Sequence, residues 1–178
     1  MPDVRPARVA DLDQVAGIYG HYVRTSVATF ETEPPSAADW AAKLRDITDR
    51  NLPFLVAHSD GEISGYCYAG PWRTRPAYRH TAEDAIYIAP DQTGRGIGQV
   101  LLGALLAACA AADVRQVIAV IADSGNSASQ RLHARFGFTD AGRLAGVGRK
   151  HGRWIDTLLM QRDLTQPDPT QPDPTQPG

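Results

Sequence analysis

Apolar residues along this chain recur with two different periods, and the switches between them mark out its elements. Leu12, Val15, Ile18, Tyr19 and Tyr22 return every three or four residues, which predicts an amphipathic helix opened by Asp11, with Asp3–Ala7 ahead of it as a short strand. Trp40, Leu44 and Ile47 repeat the helical spacing after Ser36, and Asp39 stands three residues beyond Ser36, a variant of the capping box. The period then shortens. Phe54–His58 and Ile63–Ala69 read as strands, and Ser59-Asp60-Gly61-Glu62 between them carries the Asp-Gly pair of a tight hairpin. Prolines at 71 and 76 make Arg73–His80 irregular, and Asp84–Ile88 is a further strand ended by Pro90. After Thr93-Gly94-Arg95-Gly96-Ile97-Gly98, a helix gathers Leu101, Leu102, Leu105, Leu106 and Cys109 on one side. There follow the strand Val117–Ile121, a helix over Asn126–Arg135, and two closing strands near Gly142–Val147 and Ile155–Arg162. Hairpins mixed with helical crossovers imply an α/β fold, a mixed sheet with helices on both faces.

Composition narrows the picture. The last 14 residues, 165–178, repeat Thr-Gln-Pro-Asp-Pro, hold 5 of the 13 prolines and contain no apolar residue, so a folded domain over residues 1–164 and a disordered Pro-rich tail are expected. The tail takes two acids and no base, which leaves 18 acidic and 18 basic side chains in the rest. A chain with a net charge of -2 has no basic field to hold nucleic acid or an anionic membrane. Val100–Ala112, the longest apolar-leaning run, is too short to span a bilayer, and no signal peptide is read, so the cytoplasm is the expected compartment. Cys67 and Cys109 lack C-x-x-C spacing and read as buried thiols, and no cluster of Asp, Glu or Cys stands at metal-ligand spacing from His21 or His80.

One segment carries chemistry on physical grounds alone. A strand that stops at a proline, glycines at alternate positions and an immediate helix together make a phosphate cradle, because the glycines let backbone N–H groups converge and the helix start adds its partial positive charge. Gly94, Gly96 and Gly98 fit neither G-x-G-x-x-G nor a P-loop, so neither a dinucleotide fold nor a P-loop nucleotide site is supported, and a plain glycine turn is the alternative.

The loop is followed by a strand, Asn126, a helix and Leu132-His133-Ala134-Arg135-Phe136-Gly137-Phe138. In that order the chain resembles the GNAT superfamily of N-acetyltransferases. From about Val4 to Asp163 it further resembles the phosphinothricin and methionine sulfoximine acetyltransferase family, through Tyr68-Ala69-Gly70-Pro71-Trp72, Arg75 to Tyr78, Thr81-Ala82-Glu83, Ala119-Val120-Ile121, Arg131-Leu132-His133, Lys150-His151-Gly152-Arg153-Trp154 and Phe30 within Thr29–Pro34. One departure is plain: Thr93 stands where the family usually carries Gln or Arg three residues before Gly96.

The resemblance implies the GNAT fold, a mostly antiparallel mixed sheet of six or seven strands, and acetyl-CoA as cosubstrate. The pyrophosphate would lie on the backbone of Gly94, Arg95, Gly96, Ile97, Gly98 and Gln99, and the pantetheine beside Ile86, Tyr87, Ile88 and Asn126, with the Ile88 N–H as oxyanion donor. It implies Glu83 as general base, acting directly or through water, and His133 either as the acid for the departing thiolate or as a neutral imidazole that orients substrate. Arg73 and Arg75 would bind the anionic head of a small amino-acid analogue, with Phe30 and Tyr78 closing the pocket. No metal is implied, and the family commonly forms homodimers. Rival functions are acetylation of protein N-termini or of another amine, and acyl-CoA binding without turnover.

Overall fold

The computed structural model describes residues 2–59 and 61–170. Its elements run in the order β1 (Asp3–Pro6), α1 (Leu12–Thr25), α2 (Ala37–Asp49), β2 (Phe54–Ser59), β3 (Glu62–Pro71), β4 (Thr81–Ile88), α3 (Ile97–Ala111), β5 (Gln116–Ala122), α4 (Ala128–Arg135), β6 (Thr139–Lys150) and β7 (Arg153–Asp163). Seven strands form one sheet in the order β1-β2-β3-β4-β5-β7-β6, and only β4 and β5 are parallel. That single parallel pair needs a long crossover, which α3 supplies.

Strand alternation sorts the core into two layers. Leu55, Ala57, Cys67, Ala69, Ala82, Ala119 and Met160 face α3, where Leu101, Leu102, Leu105 and Cys109 are buried together with Phe136 and Phe138. Phe54, Val56 and Tyr66 face the other way, against Val15, Tyr19 and Val23 of α1 and Trp40, Leu44 and Ile47 of α2. Each large apolar side chain so enclosed contributes roughly 1.5–3 kcal/mol relative to exposure. None of the described helices is long and apolar enough to cross a membrane.

Local chemistry explains the boundaries. Ser36 and Asp39 form the reciprocal cap expected of them, with the Asp39 N–H donating to Ser36 Oγ at 3.2 Å and the Ser36 N–H to Asp39 Oδ2 at 2.8 Å. Asp11 precedes α1 as expected, yet its carboxylate accepts from the Arg8 N–H and from Arg5 instead of capping the helix. The β2–β3 hairpin closes at Ser59 opposite Glu62, with Gly61 at φ +88°, and Asp60 lies outside the described residues. Among the limits that differ from the sequence reading are the starts of β4 and α4, and β6 is longer at both ends. β4 begins at Thr81, because Pro71 of β3 pairs with Ala82 and the following Trp72 N–H donates to the Thr81 carbonyl. α4 begins at Ala128, because Asn126 Oδ1 accepts the Ala128 N–H at 2.9 Å and turns the chain ahead of the helix.

The tail differs in part from a segment with nothing to pack on. The Arg162 guanidinium, buried at 7% exposure, donates to the carbonyls of Gln166 and Pro167 at 3.1 and 2.7 Å. Residues 171–178 lie outside the described residues.

Candidate active site

The parallel pairing of β4 with β5 lasts four rungs, from Thr81 opposite Gln116 to Asp84 opposite Ala119. Beyond it, Val120–Ala122 pair with β7 alone, while Ala85–Ile88 keep β3 as their only partner. The two strands therefore part, and β4 acquires an open edge. Which backbone groups line that edge follows from parity. The Thr81 carbonyl accepts from Trp72 and the Ala89 N–H donates to Ser64, so odd positions turn toward β3. Ile86 and Ile88 accordingly turn toward the opening. The Ile88 carbonyl accepts the Tyr22 hydroxyl at 2.7 Å, and its N–H makes no bond among the described residues. Tyr87 departs from expectation: its backbone faces β3, and its ring packs edge-on to Tyr19 and nearly parallel to Tyr66.

The glycine loop lies just past the open edge. Gly94 and Gly96 take φ of +77° and +80°, which only glycine adopts freely, and a Cβ added at either would meet no atom within 4 Å. Their α-carbons thus border open space. The N–H groups of Gly94 to Gly98 make no bond among the described residues, and those of Ile97 and Gly98 belong to the unpaired first turn of α3. The Gln99 N–H is already donated to the Gly96 carbonyl at 3.0 Å, so it is not one of the free donors. Gly98 serves packing as well, since a Cβ there would meet Leu132 of α4 at 3.3 Å. Unbonded amides at a helix start, beside open space, suit an anion such as pyrophosphate.

Glu83 stands on β4 one residue before the strands separate, on the α1–α2 face, opposite Gly70 of β3. It is half-buried and makes no hydrogen bond or ion pair among the described residues. Burial, then the adjacent Asp84 charge, pushes its carboxyl above the usual range, and Arg73 and Lys43 oppose that shift. A carboxylate so held is a stronger proton acceptor than an exposed one. Lys43 and Tyr68 were not foreseen from the sequence. Lys43 Nζ donates to Tyr68 Oη at 3.1 Å and lies 5.0 Å above the Tyr68 ring, and Tyr68 shares the Glu83 face of the sheet. The available signal was the i,i+3 relation of Lys43 to buried Trp40, which turns the lysine inward.

His133 is placed differently from a free acid. It is 2% exposed on α4, with Nε2 at 2.9 Å from Asp84 Oδ2 and Nδ1 at 2.7 Å from the Ser129 carbonyl. A carbonyl only accepts, so Nδ1 carries a hydrogen, and one further proton is shared across the Nε2–Oδ2 contact. Burial alone would lower the imidazole's pKa, but the Asp84 hydrogen bond and charge, together with the Ser129 carbonyl, outweigh it and the net shift is upward. Both nitrogens are thus engaged. Asp84 projects to the α3–α4 face, so Glu83 and His133 lie on opposite sides of the sheet.

The remaining expected residues are spread over the rim. Arg73 stacks over Trp72 at 4.8 Å, and Arg75 and Tyr78 flank a short turn, all three exposed. Phe30 sits in the α1–α2 loop against Gly148 of β6. Asn126 is exposed ahead of α4, its Oδ1 used by Ala128. A groove of about 530 Å³ lies between α4 and β6–β7, lined by Arg131, Arg143 and Leu158 among others, and none of the expected site residues lines it.

Comparison with known proteins places nearly the whole chain beside characterised families. The model of the Acetyltransferase (GNAT) family matches residues 15–138. A phosphinothricin N-acetyltransferase of Alcaligenes faecalis is 51% identical over 161 residues, 90% of this chain and 82% of that protein. An L-methionine sulfoximine/L-methionine sulfone acetyltransferase of Pseudomonas aeruginosa is 38% identical over 162 residues, 90% and 94% of the two chains. Among solved structures, a GNAT superfamily phosphinothricin acetyltransferase from Sinorhizobium meliloti in complex with AcCoA superposes with a TM-score of 0.89 at 41% identity, covering 98% of this chain and 94% of that one.

Proposed function

This chain belongs to the GNAT family of acetyltransferases, and from that premise we propose that it acetylates the α-amine of a small amino-acid analogue, of the phosphinothricin or methionine sulfoximine and sulfone type, by direct attack in a ternary complex. The cosubstrate is acetyl-CoA. The observation that carries the reading is the parting of β4 from β5 one residue after Glu83: it sets a half-buried, unpaired carboxylate at the mouth of an opening whose far end meets the free amides of the glycine loop.

In this reading Gly94–Gly98 hold the pyrophosphate, and Ile86 and Ile88 offer backbone groups to the pantetheine as an added strand would. Glu83 removes a proton from the substrate ammonium, and the neutral amine attacks the thioester carbonyl. The Ile88 N–H donates to the carbonyl oxygen as it gains charge. The C–S bond breaks, the thiolate takes the surplus proton of the new C–N centre, and Glu83 returns its own to solvent. His133 has no free nitrogen for that transfer and holds α4 against β4 through Asp84. Arg73 and Arg75 draw the anionic head of the substrate to the rim, with Tyr78 and Phe30 beside it.

The test is thiol release from acetyl-CoA with phosphinothricin, methionine sulfoximine, methionine sulfone and free amino acids. Turnover with the first three supports the reading. A chain that binds CoA yet releases thiol with no amine contradicts it.

A further inference from the structure

The closing hairpin runs beyond the end of β5. The last β5 rung pairs Ala122 with Thr157, while β6 and β7 continue through Gly148 opposite Ile155 to Lys150 opposite Arg153. This overhang meets the α1–α2 loop at two points. At the first, the Phe30 ring lies directly on the Gly148 α-carbon: an added Cβ would fall 2.5 and 2.6 Å from its Cζ and Cδ2 and nearer still to Cε2. At the second, Lys150, only 5% exposed, donates from Nζ to the Thr29 carbonyl at 2.8 Å, its one hydrogen bond among the described residues. An ammonium buried on a single neutral acceptor is unfavourable by itself, and burial pushes its pKa down against the opposing charge of Glu31.

Thr29 passes the constraint inward. Its Oγ1 lies 2.6 Å from Tyr19 Oη, and the Tyr19 ring stands edge-on to Tyr87 of β4 at 5.0 Å, on the face that carries Glu83. A continuous line of contacts thus joins β6 to the Glu83 face through the loop that bears Phe30.

We propose that Gly148 and Lys150 are positioning residues for the amine substrate: Gly148 seats the Phe30 ring and Lys150 latches its loop, so the hairpin overhang sets the size of side chain that the pocket accepts. The inference rests on the acetyltransferase reading above. It gives a role to Lys150 of the family-like string, which stands at the end of β6 where His151 and Gly152, at φ of +48° and +75°, close the tight turn into β7.

Steady-state kinetics on Gly148→Ala, Phe30→Ala and the double variant test it. The methyl group meets the far end of a mobile side chain, so Gly148→Ala folds and displaces the ring. The amine KM is expected to rise about ten- to hundredfold, the scale of a misplaced binding wall, while the KM for acetyl-CoA stays within about twofold. Bulkier amino acids should gain relative to methionine sulfone. With Phe30 already removed, Gly148→Ala should add nothing. Lys150→Met should reproduce the same split between the two substrates. An unchanged amine KM in folded Gly148→Ala, or effects that multiply in the double variant, overturns the inference while leaving the acetyltransferase reading intact. A wild-type chain that releases no thiol with any amine overturns both, and is seen before any variant is compared.

Discussion

Glu83 and Asp84 are neighbouring carboxylates on one strand, and the sheet sends them into opposite halves of the molecule. On the α1–α2 side Glu83 meets tyrosines, a lysine and the open rim, stays half-buried and has no ion-pair partner among the described residues. On the α3–α4 side Asp84 is 7% exposed amid aliphatic packing and is tied to His133. The same functional group is thus left available on one face and consumed on the other. A buried carboxylate needs a cation, and once it has one it holds structure; a half-buried carboxylate without one keeps its basicity.

Four experiments press on that division. The largest effect is expected for Glu83→Gln, where kcat/KM near neutral pH should fall ~10²- to 10⁴-fold, the usual contribution of a general base, with the denaturation midpoint and acetyl-CoA affinity retained. Asp84→Ala should do the reverse. It leaves the buried His133 Nε2 without its partner and a gap beside the ring, so urea titration should show a loss of about 3–5 kcal/mol, and calorimetry that finds wild-type stability would remove the structural half of the comparison. Gly96→Val lies outside both faces and should weaken acetyl-CoA binding by about 2–4 kcal/mol, the scale of more than one charge-assisted hydrogen bond; isothermal titration gives the affinity, and amine binding should be spared. The smallest effect is expected at the tail. Removing residues 165–178 takes two carbonyl acceptors from Arg162 and should cost about 1–2 kcal/mol, visible as a lower melting temperature with unchanged kcat/KM.

pH separates the two faces further. Lys43 and Arg73 hold the Glu83 carboxyl down, so Lys43→Met should raise its pKa and move the acid limb of kcat/KM to higher pH. His133 has a folded-state pKa raised above its unfolded value of about 6.5. Its contribution to stability is therefore fully present below that pH and lost as pH climbs through the folded value. The stability difference between wild type and His133→Gln should shrink over that same interval.

Much of this was legible in the sequence wherever the signal was local. The α2 cap, the β2–β3 hairpin and the apolar stripe of α3 depend on residues a few positions apart, and each formed as read. What escaped depends on partners distant in the chain. Alternation with Ala82 and Ile86 places Asp84 on an apolar face, but that its partner is His133, 49 residues on, only the fold decides. Tyr87 was assigned to the cleft with Ile86 and Ile88, and strand parity turned its backbone the other way. β6 runs 12 residues through Gly142, Gly146 and Gly148 because β7 supplies its hydrogen bonds, with three residues between Leu144 and Gly148 set against one on β7. Tertiary packing likewise folds Lys43 over Tyr68 and buries Lys150 at Thr29, partners 25 and 121 positions away.

The most direct test of the divided roles is the pH dependence of the Glu83→Gln deficit. The substrate ammonium loses its own proton as pH rises, so a missing base matters less under alkaline conditions. The account predicts that the ratio of wild-type to variant kcat/KM is largest near neutral pH and narrows steadily toward pH ~10, in a variant as stable as wild type. A folded variant within about threefold of wild type at every pH, or a deficit that stays constant across the range, would contradict Glu83 as the base.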